Sequence, residues 1–441
     1  MEIDKTTFAD LSLFNHEEEC SIFHKLDFTR TRGGKDQLLE NFNRPFSDHR
    51  SIKETQQIIS LILKHHHEWP EAISNGTIMV MEKFYETAID EIPLAYHLPA
   101  AIGYKIFHKP DYSMVRYSIG HFADFIRGME RIINLFSSPE CPPLLNGMLE
   151  RARRLINHDI IQALGRTEPG IKFKPVQVIY YGHYIRTNFK NSALTLIEIY
   201  NQLDAWYSMA MAARHHKLSF PVFMENEDAG GPFIEVSALF HLLLPAPVAY
   251  DVRMNRETNF LFLTGANMAG KSTFIRAVGI SVFLAHLGMG VPAAGMRLSL
   301  FDGILSNINV MDNISKGESY FFNEVQRIRD TLTKISGNNK WLVLIDELFK
   351  GTNVQDAMKC SATVIRGLIK IRSSLFILST HLYEIGEELK QYPNISFKYF
   401  ETAVKEDQLE FSYQLKDGIS NDRIGYLILK REKVVEMLEK L

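Results

Sequence analysis

Apolar residues along this chain keep two different periods. In the N-terminal half they recur every three to four positions. Ile52, Ile58, Ile59, Ile62 and Leu63 form one set, and Ala193, Leu196, Ile197, Tyr200, Leu203 and Tyr207 another. That spacing places each set on one helix face and predicts long helices that bury a continuous stripe. Past residue 232 the period changes. Phe260–Leu263, Leu342–Ile345 and Leu375–Leu378 are short apolar runs, bounded by polar or glycine positions and followed by helix-like sequence. This βα alternation predicts a parallel sheet covered by helices. Leu409, Phe411, Tyr413 and Leu415 alternate with polar residues, the pattern of a half-exposed antiparallel strand, and Ile424 to Leu441 reads as helix. No fixed-period repeat is present.

The change of period falls at Glu225-Asn-Glu-Asp-Ala-Gly-Gly-Pro232, an acidic, Gly/Pro-rich stretch that reads as a linker or exposed turn. The expected fold class is therefore α + α/β, with an all-helical domain over residues 1–225 and a mainly parallel α/β domain over residues 226–441. A length of 441 residues suits two or three domains.

Composition narrows the function classes. A net charge of -3 excludes a protein held to nucleic acid by bulk charge. The charge is uneven, however. Residues 151–200 hold eight basic residues against three acidic ones, and Arg151, Arg153, Arg154, Lys172 and Lys174 are the candidate DNA contacts there. A solvated face is the other reading of that segment. Cys20, Cys141 and Cys360 are too few and too far apart for a disulfide framework, which points to a reducing cytoplasm. The N-terminus has neither the basic nor the apolar region of a secretory signal. Ala277 to Met296 is uncharged and long enough to span a bilayer. It carries several glycines and a proline beside a phosphate-loop motif, so a buried helix and loop is expected and no membrane partner. His65-His66-His67 point to different helix faces and read as a solvated helix end.

The sharpest local signal is Gly265-Ala-Asn-Met-Ala-Gly-Lys-Ser272, which matches G-x-x-x-x-G-K-[ST]. Glycines let such a loop curl so that successive backbone N–H groups face phosphate oxygens. Lys271 would bring an ammonium to the outer phosphates, Ser272 would offer a hydroxyl to Mg²⁺, and the following helix would add its N-terminal dipole. The apolar run before the motif and the helical run after it meet the mechanism's structural needs. Trp341-Leu-Val-Leu-Ile-Asp346-Glu347 is a buried strand ending in two carboxylates. Asp346 would hold the Mg²⁺ shell, and Glu347 would polarise a water for in-line attack on the γ-phosphate. Ser379-Thr380-His381 follows another apolar strand, and His381 there can reach the γ-phosphate or the attacking water.

In this order the motifs resemble the MutS family of DNA mismatch-repair ATPases, within the ABC-type P-loop ATPases. Thr264-Gly-Ala-Asn-Met-Ala-Gly-Lys-Ser-Thr273 is similar to TGPNMGGKST. Asp312-Asn-Ile with Lys316-Gly-Glu-Ser-Tyr-Phe-Phe-Asn-Glu324 resembles DNI and GxSTFMxE. Asp346-Glu-Leu-Phe-Lys-Gly-Thr352 resembles DExxRGT, Ser379-Thr-His381 resembles ATH, and Gly418-Ile-Ser-Asn421 with Gly425 resembles GVSxxxxG. In the N-terminal half, Leu26-Asp-Phe-Thr-Arg-Thr31, Gly34, Leu38 and Pro45 match the spacing at the start of the family's helical core. Leu203-Asp204 and Phe220-Pro221 resemble its end.

The resemblance implies ATP and Mg²⁺ as cofactors and a head-to-tail homodimer of ATPase domains. Backbone and side chains of Gly265, Ala266, Asn267, Met268, Ala269, Gly270, Lys271, Ser272 and Thr273 would bind nucleotide. Ser319 would reach the nucleotide in trans, and a helical lever would pass the change toward DNA. The family's mismatch reader and connector have no counterpart, and Phe223-Met-Glu225 and Phe322-Asn-Glu324 match the reader's Phe-x-Glu string only by chance. A reduced or missing clamp is expected, with a protein partner as another source of recognition. At the site, Ala266, Ala269, Asn307, Tyr320 and Lys350 depart from the family's residues.

Overall fold

The computed structural model describes residues 1–94, 96–224, 231–266, 268–309, 320–405, 408–420, 434 and 437. The linker residues 225–230, Asn267, the signature residues 316–319 with Ser319, and the expected C-terminal helix apart from Val434 and Met437 lie outside them. The chain divides into two compact units. One comprises Met1–Lys25, Arg44–Lys53 and His215–Leu441, and the other Leu26–Asn43 and Glu54–Arg214.

In the first unit, strands form two sheets. The larger has the order β1 (Glu2–Ile3), β7 (Gly303–Asn307), β8 (Trp341–Asp346), β9 (Leu375–Ser379), β5 (Phe260–Thr264), β10 (Ile395–Lys405) and β11 (Gln408–Asp417). Every neighbouring pair is parallel except β10 and β11. β5, β7, β8 and β9 are buried along their whole length, as continuous apolar runs covered on both faces must be. The smaller sheet, β2 (Val222–Phe223), β6 (Gly295–Leu298), β3 (Ile234–Leu239) and β4 (Tyr250–Met254), is antiparallel apart from the β2–β6 pair. Ala277 to Met296 resolves into the end of the helix Lys271–His286, a loop and the start of β6. Among the described residues, no helix is long and apolar enough to cross a membrane.

The expected division at residue 225 and the expected all-helical N-terminal domain both need correction. Glu2 and Ile3 pair with Gly303 and Ile304 as an edge strand of the large sheet. Asp10, 1% exposed, accepts the backbone N–H groups of Ile308 and Asn309, each at 3.0 Å, and Thr7 Oγ1 accepts that of Ser306 at 2.9 Å. Buried polar groups need partners, and these N-terminal side chains find theirs at the end of β7.

In the second unit the described elements are helices, among them Arg32–Asn43, Asn75–Glu86, Lys109–Leu135, Pro175–Thr187 and most of Lys190–His215. Lys109–Leu135 buries Val115, Ile119, Phe122, Ile126, Met129 and Ile133 on one stripe and packs against Asn75–Glu86 and Pro175–Thr187. Two segments far apart in sequence, both quoted for their family resemblance, meet here. Asp204 is fully buried, and its carboxylate accepts Arg30 N–H at 3.0 Å, Thr31 N–H at 2.9 Å and the Thr31 hydroxyl at 2.7 Å. It thereby satisfies donors at the start of Arg32–Asn43. Gly34 is required at this approach, because a Cβ there would stand 2.1 Å from Asp204 Oδ2.

Candidate functional site

β5 ends at Thr264 and the chain turns through Gly265 to Gly270 before the helix Lys271–His286 begins. Gly270 caps that helix with φ +107, and Gly265 has φ +137, a region L side chains rarely enter. The loop wraps the Lys271 side chain, whose Nζ donates to the carbonyls of Gly265 at 2.7 Å and Ala266 at 3.0 Å. Burial lowers the pKa of this ammonium, while Glu347 and Asp346 act in the opposite direction. Ala266 and Ala269 are buried and Met268 is exposed.

β8 is the next strand but one from β5, so its C-terminal end lies at the same edge of the sheet. The Ser272 hydroxyl donates to Asp346, and Asp346 also accepts from the Ser379 hydroxyl at the end of β9. Asp346 and Ser379 are register partners in the parallel pair, which is why the two side chains meet. The adjoining Glu347 has φ +63, and Phe349 has φ +61. Non-glycine residues held there cost roughly 1–2 kcal/mol each, and such strain gathers where function dictates backbone geometry. The Glu347 carboxylate lies 3.5 Å from His381 Nδ1 and 3.4 Å from Lys350 Nζ. The hydrogen bond from His381, with the charges of Lys350 and Lys271, holds its pKa down at about 2 against the opposing effect of burial. Lys350, where the family has arginine, thus keeps a cation beside Glu347.

A cleft of about 640 Å³ opens over this arrangement, with Gly270, Lys271, Ser272, Thr273, Asp346, Glu347 and Lys350 on its polar side. Leu244, Pro245, Val248, Tyr250 and Tyr413 give it an apolar wall, which sequence reasoning did not find. Those residues belong to the smaller sheet's β3–β4 connection, to the start of β4 and to β11, and no motif marks them. Ser420, in the late block resembling GVSxxxxG, donates its N–H to Thr264 Oγ1 at 2.9 Å.

Glu324 was also missed. It is 1% exposed on the helix Tyr320–Ile335, and accepts the backbone N–H groups of Lys350 at 3.2 Å and Gly351 at 3.3 Å. The signal was its place at the end of the block beginning at Lys316.

The candidate DNA contacts differ in what they engage. Arg151, Arg154, Lys172 and Lys174 are exposed. Arg153 is paired with Glu150 and donates to Ser137 Oγ at 2.8 Å. Arg186, counted in the same basic segment, donates to the carbonyls of Phe84 and Thr87.

The fold and the site define the class: an α/β domain with a mainly parallel sheet, its polar residues gathered at the C-terminal strand ends where ligands of such sheets bind. Residues 261–438 match the family model of MutS domain V. The chain is 31% identical over 243 residues to the DNA mismatch repair protein MutS of Thermotoga maritima, covering 55% of this chain and 30% of that protein. It is 27% identical over 234 residues to the DNA mismatch repair protein msh3 of Aspergillus oryzae, covering 51% of this chain and 20% of the relative. The matched part spans less than a third of these relatives' length. The similarity to MutS proteins therefore lies in the C-terminal half of the chain.

Proposed function

We propose that this chain binds ATP over the loop 265–273 and hydrolyses it with Mg²⁺, and that the cycle drives pairing of two copies and their action on DNA. Mismatch repair, or a related processing of DNA structures, is the setting its relatives support. The observation that carries the reading is the run of hydrogen bonds from Ser272 through Asp346 to Ser379, with Glu347 and His381 beside it.

Each residue has a role in that reading. Lys271 exchanges the carbonyls of Gly265 and Ala266 for phosphate oxygens. Ser272 and Asp346 offer adjacent oxygen donors only, the set a hard divalent cation takes, so these residues fit Mg²⁺. Magnesium bound there would neutralise charge on the outer phosphates. Glu347, ionised at neutral pH, orients the attacking water and accepts its proton. His381 holds the Glu347 carboxylate on its solvent side. The apolar wall with Tyr250 and Tyr413 receives the nucleoside. Ser319 in trans, Asn267 at the loop and the helical unit as a lever complete the proposal on family resemblance.

A second reading has the ATP switch act through a protein partner without direct DNA recognition. The internal engagement of Arg153 and Arg186 favours it. Binding of the full chain to homoduplex, mismatched and branched DNA, across a salt series with and without ATP, separates the two. The first predicts binding that weakens as salt rises. No binding to any of the three at low salt leaves the second.

A further inference from the structure

The helical unit carries a concavity that the proposed ATP site does not use. Arg116, Gly120, Ala123 and Arg127 line one face of the helix Lys109–Leu135, and the segment from Thr167 to Phe173 lies across from them, with about 320 Å³ of open concavity between. That volume is at the lower end of small-ligand sites. Position 120 faces open space, and a Cβ there would meet no atom within 4 Å. Glycine inside a helix costs about 1 kcal/mol relative to alanine. Packing explains Gly128 on the same helix, where a Cβ would meet Ile73 at 2.6 Å, but it does not explain Gly120.

The lining has a definite chemistry. Arg127 is spent on structure, donating to Asp124 at 2.7 Å and to the Thr167 carbonyl at 2.8 Å, which fixes the opposite segment. Among the described residues, Arg116 and Lys172 have no ion-pair partner. Asp124 is engaged by Arg127, and Glu168 is the other lining carboxylate, exposed at the rim. His121 Nδ1 is buried and, among the described residues, has no hydrogen-bond partner. Its ring sits edge-on to Tyr117 at 4.7 Å, and Tyr117 is 62% exposed. Two cations suit a phosphate, and an exposed aromatic ring suits a base.

We propose that this concavity holds one nucleoside phosphate unit. The phosphate lies against Arg116 and Lys172, and the base rests on Tyr117. The unit comes either from a single DNA strand, in which case the site deepens and rests on the DNA-binding reading, or from a free mononucleotide, in which case it stands apart from that reading.

The test uses the full chain with two probes: a fluorescein-labelled oligothymidylate followed by polarisation, and thymidine monophosphate followed by calorimetry. Gly120→Leu fills the space with no clash at its Cβ, and Lys172→Glu reverses one cation. Both variants should weaken one probe or both by about tenfold or more, with melting temperatures near that of the unaltered chain. Loss of oligothymidylate binding assigns the site to a strand, and loss of monophosphate binding alone assigns it to a free nucleotide. If the unaltered chain binds monophosphate but no DNA, the DNA-binding reading fails and the site stands. If neither probe binds, or both bind the variants as they bind the unaltered chain, the proposal is overturned.

Discussion

The carboxylate of Glu324 accepts the backbone N–H of Lys350 at 3.2 Å, and so ties the helix Tyr320–Ile335 to the turn that follows Glu347. Its second oxygen takes the N–H of Gly351 at 3.3 Å. Burial pushes this carboxyl up, and the backbone donors oppose that shift. Glu324→Ala leaves two donors without their partner, at a cost of about 2 kcal/mol, and frees the turn beside Glu347, the proposed base. The expected outcome is a kcat lowered by about tenfold or more with KM for ATP little changed. Glu324→Gln, which can accept one of the two bonds, should fall between. Equal kcat in all three chains would remove Glu324 from the site's support.

Glu347 sets a pH dependence. Its carboxyl titrates at about 2 in the folded chain against a reference of 4.5, because His381 and the nearby lysines favour the charged form. A depressed carboxyl contributes stability that is fully present above the unfolded value and is lost as pH falls through the folded one. Between about pH 4.5 and 2 the chain should therefore lose roughly 3 kcal/mol from this group. Urea denaturation across that range should show a shallower decline in Glu347→Gln than in the unaltered chain. Parallel declines would mean that the ion pairs contribute little.

The Asp204 contacts make a prediction about the helical unit. Asp204→Ala leaves two backbone N–H groups and the Thr31 hydroxyl without their acceptor. Gly34→Ala drives a Cβ into the same carboxylate. Each should cost about 3 kcal/mol, read from the denaturation midpoint of the helical signal. A loss under about 0.5 kcal/mol, the range of ordinary surface substitutions, would mean the unit holds Arg32–Asn43 by other contacts.

Ser319→Arg tests pairing in trans. On this account the variant binds ATP as a monomer with little change in affinity and no longer pairs when ATP is added. Sedimentation with and without ATP reads this directly, and retained ATP-dependent pairing would place the trans contact elsewhere.

Much of the site was legible because its chemistry is written in short blocks. The loop 265–272, Asp346 with Glu347, and Ser379 to His381 each follow an apolar run, and parallel pairing of β5, β9 and β8 brings their ends together. What was not legible depends on contacts without a local pattern. Asp10 has no motif, yet it caps the end of β7 nearly three hundred residues on. That contact and the β1 pairing move the first twenty-five residues into the unit that holds the sheet. Tyr250 and Tyr413 line the cleft from strands whose alternation reports burial, not ligand contact. A charge count of the basic segment cannot tell that Arg186 caps the carbonyls of Phe84 and Thr87.

The central claim is a hydrolytic ATP site whose occupancy pairs two copies. Glu347→Gln keeps Lys271, Ser272 and Asp346 and removes the proposed base. Size-exclusion chromatography with ATP and Mg²⁺, run alongside a phosphate-release assay, should find the variant held as a dimer with turnover abolished, while the unaltered chain returns to monomer as ATP is consumed. Full phosphate release by the variant, or a monomer in the presence of ATP, would contradict the account.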